Sequence, residues 1–360
     1  METWYVISAL LLIVTSVLAF VPHPHWMFRI WEFGRIQAFV LQVIVLMLGF
    51  AFVERGTAFW VLQGALALLA ANNFRILFPY TKLYRGANAN KAGKRSESCS
   101  ILSVNVYQFN NEYGRLLDVI RKNDPDVILT METNAAWEQA LSVLDADYPG
   151  YQKVALENTY GMHFWTRLQV HRLQVHYFVA NDLPSIEAEL SSPDGTRFTL
   201  FGVHPAPPSP TEEPNSKERD GELLSVAKKV KHLKGPVLVV GDFNNVAWAR
   251  SSVLFRKTSG LIDPRIGRGF VSTYHARYRL LRFPIDLFFH STEVFMEQFC
   301  TLGDVGSDHL PLYCRFYFNN DSPVQEEAVE TLEDGQMEEV NEMIEEGKAE
   351  ESDRPAVARE

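Results

Sequence analysis

The chain has 360 residues, 47% of them hydrophobic, with 34 basic against 44 acidic side chains for a net charge of −10. The acid is concentrated at one end: residues 319–360 hold 15 Asp and Glu against 3 Lys and Arg, a net of −12, so the first 318 residues carry +2 and an anionic substrate is not excluded. The three cysteines, Cys99, Cys300 and Cys314, are too few and too widely spaced for a disulfide framework or a zinc site and read as buried, reduced thiols.

Three apolar runs come first: Trp4–Val21, Ile36–Val53 and Thr57–Ala71, the last extendable towards Phe78. At about 1.5 Å per residue, the first two are long enough to cross a hydrocarbon core of about 30 Å, and the third is marginal. Only Glu54, Arg55 and Gly56 separate the second run from the third, which predicts a tight helical hairpin. A cleaved signal peptide fits the first run poorly, because no basic segment precedes it and two further apolar runs follow. The first loop holds Arg29 and Arg35 and the second Arg55, whereas Arg75, Lys82, Arg85, Lys91, Lys94 and Arg95 follow the third run. Three spans with that cluster inside place the beginning of the chain outside and the main domain in the cytoplasm. Residues 1–80 therefore read as transmembrane helices and 81–97, small, polar and basic, as a linker.

From residue 98 to 318 the pattern alternates. "CSILSVNVY" reads as a strand, Asn111–Lys122 as a helix, "PDVILTME" as a buried strand and Ala135–Leu144 as a helix. Strand-like runs follow at Tyr151–Leu156, Gly161–Trp165, Val170–Val179, Ile186–Leu190 and Arg197–Val203. Ser216–Leu233 is an amphipathic helix, and "GPVLVVGDF", "IDLFFHS" and "LPLYCRFYF" are the last strands. Helices between apolar runs indicate a layered α/β domain. Residues 319–360 are Glu-rich and poor in aromatics, which predicts disorder, with "MEEVNEMIEE" able to form a transient helix.

Polar residues recur where these strands end: Asn105, Glu132, His204, Asp242 with Asn244, Asp286, and Asp308 with His309. An acid at the end of an apolar strand is costly without a partner, and a hard divalent cation is one such partner. Loops at one end of an α/β sheet converge on a common crevice, so these scattered positions point to one site.

The ordered set "SVNV", "LTMET", "HPAPP", "GDFNN", "PIDLFF" and "GSDHLP" resembles the endonuclease/exonuclease/phosphatase superfamily, the DNase I-like fold. "HPAPP", Trp248 and "YHARYRLLRFPIDLFF" resemble its bacterial membrane-anchored branch more closely, and the likeness spans about Cys99–Tyr317. It implies a four-layer sandwich, two stacked β-sheets flanked by helices, here preceded by the transmembrane region. It also implies cleavage of a phosphate ester by in-line attack of water with Mg²⁺ or Mn²⁺. On the matching positions, Glu132 and Asp308 would be metal ligands with Asn105 beside the metal, and Asp242 would activate the water. Asn244 would hold the phosphate or Asp242, Asp286 would orient His309, and His309 and His204 would donate to phosphate oxygens. The chemistry wants the same types: charge neutralisation for the phosphodiester, a carboxylate for the water, an imidazole held by a second carboxylate.

Arg167 in "FWTR" stands where the family often has a Ser-Arg pair, and Trp248, Arg277 and Arg279 are further substrate-binding candidates. The segment Arg265–Arg282 interleaves five arginines with aromatic residues, a pattern that suits a nucleic-acid backbone, anionic lipid headgroups or a structural loop pairing with acids. The expectation is an integral protein of a bacterial inner membrane, hydrolysing a phosphodiester or phosphomonoester in nucleic acid or lipid. Membrane lipids would contact the N-terminal helices, and no obligate protein partner is implied. The competing reading is a catalytically silent, membrane-tethered scaffold.

Overall fold

The computed structural model describes residues 2–84, 97–319 and 323–352. Most of the expected linker, residues 85–96, lies outside the described residues, as do 353–360 of the tail.

Four helices open the chain: α1 (Glu2–Leu18), α2 (Trp26–Phe33), α3 (Arg35–Phe52) and α4 (Thr57–Leu77). By length and composition α3 and α4 can cross a membrane, and α1, at 17 residues, falls just short. The third apolar run, marginal by its count of apolar residues, becomes the longest helix because Asn72, Asn73 and Arg75 extend it to Leu77. In the bundle α1, α3 and α4, Tyr5 meets Phe59 and packs close to Gly49, so the start of α1 lies beside the α3–α4 turn. At the other end Leu18, Gly34 and Leu77 adjoin the α/β domain. The bundle is apolar without, and within it a polar chain runs beside an apolar cluster of Ala9, Leu12, Val45, Phe59 and Leu66. Arg35 Nη1 donates to Asn73 Oδ1 (3.1 Å), Asn73 Nδ2 to Gln42 Oε1 (3.1 Å) and Gln42 Nε2 to Ser16 Oγ (2.8 Å), while Leu11, Met47 and Leu68 face outward. Side-chain hydrogen bonds between helices are the contacts that hold apolar bundles together where lipid removes the hydrophobic drive.

The domain then runs β1 (Cys99–Asn105), α5 (Tyr113–Asn123), β2 (Val127–Met131), α6 (Ala135–Leu141), β3 (Gly150–Val154), β4 (Met162–Thr166), β5 (Gln169–His176), β6 (Ser185–Ser191) and β7 (Arg197–Val203). It continues with α7 (Lys217–Lys231), β8 (Val237–Asp242), α8 (Arg250–Ser259), β9 (Asp286–His290), β10 (Val294–Thr301), β11 (Leu312–Phe318), α9 (Pro323–Glu326) and α10 (Gln336–Ala349). One sheet has the order β10-β11-β1-β2-β4-β3, the other β5-β6-β7-β8-β9. Leu129, Phe164, Leu200, Val240, Phe288 and Phe316 belong to the core between the sheets. The outer face of the first sheet packs α5 and α6 through Leu116, Ile120 and Trp137, and that of the second packs α7 and α8 through Leu223, Val226 and Phe255. This is the expected four-layer arrangement.

Each sheet contains one parallel pair joined through a helix, β1-α5-β2 and β7-α7-β8; all other pairings are antiparallel. The parallel strands are buried on both faces, which explains why they read as unbroken apolar runs. The strands β9 and β11 run antiparallel to β8 and β1, so their beginnings lie at the same edge as the ends of β1, β2, β7 and β8. That register, with Asp242 opposite Asp286, is what gathers the polar strand ends.

Two elements do not announce themselves. Strand β10 is bulged between Met296 and Gln298, which breaks its alternation, and α8 buries Ser251, Ser252, Thr258 and Ser259, which hides its apolar face. The acidic tail departs from expectation: residues 336–349 form a packed helix where composition predicts disorder. Its Val340 and Ile344 join Leu224 of α7 and Leu254 of α8, and Gly221 and Gly347 let the two helices approach closely. Arg250, Arg256, Lys257 and Lys217 pair with Glu339, Glu330, Glu333 and Glu350. The tail is thus a counter-charge for basic residues of the domain, a complementarity between distant segments that composition does not reveal.

Candidate active site

The side chains at the common edge form a connected set. Asn105 Nδ2, at the end of β1, donates to Glu132 Oε1 (2.7 Å) and to Asp242 Oδ2 (3.1 Å), bridging the two sheets. Glu132 Oε2 accepts from the backbone N–H of Gln108 (3.1 Å). His309 Nδ1 donates to Asp286 Oδ2 (2.7 Å), and its Nε2 lies 3.6 Å from Asp242 Oδ2. His204 Nε2 approaches the same Asp242 oxygen at 3.8 Å from the other side. Asp308 opens onto the same cleft as these residues.

Backbone conformation supports the arrangement. Glu132 (φ 60°) and Asn244 (φ 47°) adopt left-handed backbone, uncommon for residues other than glycine and found disproportionately where side chains must be aimed. Asn244 is held there by its N–H on Asp242 Oδ1 (2.8 Å), its Nδ2 on the Pro205 carbonyl (2.9 Å), and Arg219 Nη1 on its own carbonyl (3.1 Å). Arg219, on α7, carries no signal in the sequence that would have singled it out. Ser307 was visible only as part of "GSDH"; its hydroxyl donates to the Asn105 carbonyl (2.8 Å) and accepts from His309 N–H (3.0 Å), tying the two motifs together. Tyr274 stacks obliquely on His309, with ring centroids 5.0 Å apart.

The electrostatics are those of an acid-rich pocket. Burial pushes Glu132 above the usual carboxylate range and Asp242 up to about 7, with the His309 imidazolium offsetting part of this for both. Burial alone would lower His309, but the carboxylates of Asp286 and Asp242 raise it to about 10. His204, buried and beside cationic His309, is pulled down to about 3 and is neutral. Asp286 Oδ1 and His204 Nδ1 are buried without a hydrogen-bond partner among the described residues. Ligand atoms of Asp242, Asp286 and His309 lie within 4.8 Å of one another. Four carboxylates facing one imidazolium leave an excess of hard, anionic oxygen, a donor set that fits a divalent cation of the magnesium class. The Asn105 amide accepts at Oδ1 from Tyr107 N–H (3.0 Å) and donates from Nδ2 to two acids, so it braces Glu132 against Asp242.

Of the four residues expected to bind substrate, two lie away from the acids. Arg167 pairs with Asp124 (2.6 Å) and Tyr148 (2.7 Å) in a separate cavity of about 410 Å³. It follows β4 at the end paired with Val127, whereas Glu132 follows the opposite end of β2, about 20 Å away along the strand. Trp248 is buried, its Nε1 donating to the Glu32 carbonyl (2.8 Å) and its ring against Tyr80 and Phe270, so it joins the helical region to the domain. Arg277 and Arg279 are exposed and outside the cleft lining, although Ala276, just before Arg277, donates its N–H to the Asp308 carbonyl (2.6 Å) and so sets this segment beside the site. Of the other arginines in that segment, Arg265 is fully buried against Asp263 (2.9 Å), and Arg268 and Arg282 donate to backbone carbonyls. Pairing within the fold, rather than a basic track, accounts for most of that arginine-rich stretch.

No curated protein matches the chain. Among solved structures, a humanized D. rerio TDP2 is similar with a TM-score of 0.52 at 19% identity, covering 61% of this chain and 99% of that one. A mannosyl-6-phosphatase of Bacteroides thetaiotaomicron is similar at 0.51 and 17%, covering 61% and 100%. The human Nocturnin catalytic domain with bound sulfate is similar at 0.50 and 17%, covering 62% and 95%. At these identities the likeness establishes the fold, which is DNase I-like. The description "Endonuclease/Exonuclease/phosphatase family" matches residues 102–309, more than half of the chain and the whole stretch from the first sheet to His309. The chain belongs to the endonuclease/exonuclease/phosphatase family.

Proposed function

We propose that the protein is a membrane-anchored, divalent-metal-dependent hydrolase of a phosphate ester. The observation that carries this reading is the position of Asp242, whose Oδ2 faces Asn105 Nδ2 (3.1 Å), His309 Nε2 (3.6 Å) and His204 Nε2 (3.8 Å) on the floor of one cleft with Glu132 and Asp308. Glu132 and Asp308 would hold Mg²⁺ or Mn²⁺, braced by Asn105. Bound there, the cation would supply positive charge to the phosphate and its leaving oxygen. Asp242, whose raised affinity for a proton suits a general base near neutral pH, takes a proton from the attacking water on Oδ2. The cationic His309, aimed by Asp286, donates its Nε2 proton as a hydrogen bond to a phosphate oxygen, and neutral His204 donates a second from across the pocket. Anchoring follows from α3 and α4, whose length and apolar outer faces suit a bilayer, with α1 completing the bundle. The basic cluster from Arg75 to Arg95 favours the cytoplasmic side for the domain.

The test is hydrolysis of bis-p-nitrophenyl phosphate by the full chain in detergent. Activity with Mg²⁺ or Mn²⁺ that disappears in EDTA and in Asp242→Ala supports the reading. Absence of turnover with every divalent cation sinks it.

A further inference from the structure

The helix α2 has its polarity reversed relative to a surface helix of a water-soluble domain. Arg29 and Glu32, one turn apart, face inward and are 8% and 4% exposed, whereas Met27 and Ile30 face outward at 56% and 51%. The inward side is fixed to the domain. Arg29 Nη1 lies 3.9 Å from Glu32 Oε2, Glu32 Oε1 accepts from Arg250 N–H (3.2 Å), and Trp26 N–H donates to the Pro214 carbonyl (3.1 Å). So α2 is fixed to the same scaffold that positions Asp242 and Asn244, and among the described residues none covers its outward apolar face at Met27 and Ile30.

That face is continuous with the active site. The cleft above Asp242 and His309 has a volume of about 960 Å³. This lies at the upper end of the range of about 300–1,000 Å³ for sites that enclose drug-sized ligands. Its floor is acidic and imidazole-bearing; its far wall is Met27, Ile30 and Trp31 of α2, with Pro207 and Phe283 between. The cation on that wall, Arg29, is committed to Glu32, so the wall offers no succession of free positive charges for a nucleic-acid backbone. The apolar character continues beyond the cleft: Leu280 is 87% exposed, and its carbonyl accepts from Gln37 Nε2 (2.8 Å) at the start of α3. Gly34 alone separates α2 from α3, so the apolar wall runs straight into a helix able to cross a membrane.

We propose that α2 is a specificity element: the cleft accepts a membrane lipid phosphoester, its phosphate on the acidic floor and its apolar chain along Met27, Ile30 and Trp31 towards the helical bundle. The helix lies outside the family-matched residues 102–309, so this wall is no part of the stretch that the family description covers. The proposal rests on the phosphoester-hydrolase reading above, and the test keeps the two apart.

The full chain, in one detergent with Mn²⁺, is given two diesters that share a leaving group, methyl p-nitrophenyl phosphate and hexadecyl p-nitrophenyl phosphate. The native protein should favour the hexadecyl ester by about tenfold or more in kcat/KM, and Met27→Asp/Ile30→Asp should bring that preference down by about tenfold, the contribution of two apolar side chains against an alkyl chain. Comparing native and variant in identical micelles cancels partitioning of the ester, and both positions are exposed enough to accept a carboxylate without unfolding. A preference near unity in the native protein, or one the double variant leaves intact, overturns the role of α2. If neither ester is turned over, binding of hexadecyl methyl phosphate decides. Tighter binding to native than to variant protein upholds the lipid-accepting cleft and removes the hydrolase reading, and equal binding removes both.

Discussion

Replacing Asp286 with Asn keeps the size of the side chain and removes the charge behind His309. The Nδ1–Oδ2 hydrogen bond is 2.7 Å and both groups are buried, 4% and 1% exposed. Two unit charges about 4 Å apart at an effective dielectric of about 20 attract by about 4 kcal/mol, equivalent to about 3 pKa units. In the native protein His309, raised to about 10, stays cationic throughout the neutral range, and a rate that needs the imidazolium declines only above that value. With Asp286→Asn the burial that lowers His309 is opposed only by the carboxylates of Asp242 and Asp308, so the imidazole loses its proton in the neutral range. The assay is kcat/KM for bis-p-nitrophenyl phosphate against pH, from about 5.5 to 10. The variant's alkaline limb should move down by about 3 units, to about 7, and its rate at pH 8 should fall by about tenfold. An unmoved limb with a rate within about threefold of native would refute the assignment of Asp286 and His309 as an orienting pair.

Glu222, wholly buried and accepting from Ser185 Oγ (2.7 Å) and Val179 N–H (3.2 Å), is pushed up to about 7 by burial. The folded chain then holds this proton more tightly than the unfolded one, so its contribution to stability is present below about pH 4.5 and is lost as pH rises through about 7. Glu222→Gln, able to accept from Val179 and donate to Ser185, should exceed the native protein in stability at pH 8 by about 3 kcal/mol and match it at pH 4.5; equal melts at pH 8 contradict the burial penalty. Gly347→Val would set a Cβ 2.6 Å from the Lys217 carbonyl oxygen and 3.0 Å from Gly221 Cα, forcing α10 off α7. Thermal melts should show a loss of about 1–3 kcal/mol with protease cutting first at 336–349, and an unchanged pattern would mean that the contact is dispensable. Arg167→Ala should leave kcat/KM within about twofold, because the guanidinium serves Asp124 and Tyr148 far from the acids; a loss above about tenfold would place it in the substrate path.

The sheet strands and the acids were legible for the same reason. A strand buried on both faces reads as an apolar run, and an Asp, Glu, Asn or His that ends such a run is conspicuous because burial there is costly. Asp242 and Asp286, 44 positions apart, face each other through nothing more than the antiparallel register of β8 and β9. The remainder depended on partners the linear pattern does not name. Arg167 resembles a site residue locally, yet it follows β4 at the wrong end of the sheet. The tail reads as solvated acid until Arg250, Arg256 and Lys257 are found opposite it. And α2 was read as a loop between apolar runs, because a helix with its charges inward and its methyls outward inverts the pattern by which helices are recognised.

The order in which the bundle's ends alternate has a consequence for tracing the chain in cells. Leu18, Gly34 and Leu77 all lie on the domain's side, whereas Tyr5 sits by the α3–α4 turn, about 20 Å from Leu18 at about 1.5 Å per residue of α1. If α1 crosses together with α3 and α4, a reporter fused ahead of Met1 and a reporter placed after Phe318 face opposite compartments; if α3 and α4 alone cross, both reporters face the same one. A single pair of side-selective labelling measurements would therefore assign the compartment from which the enzyme draws its water, independently of any count of basic residues.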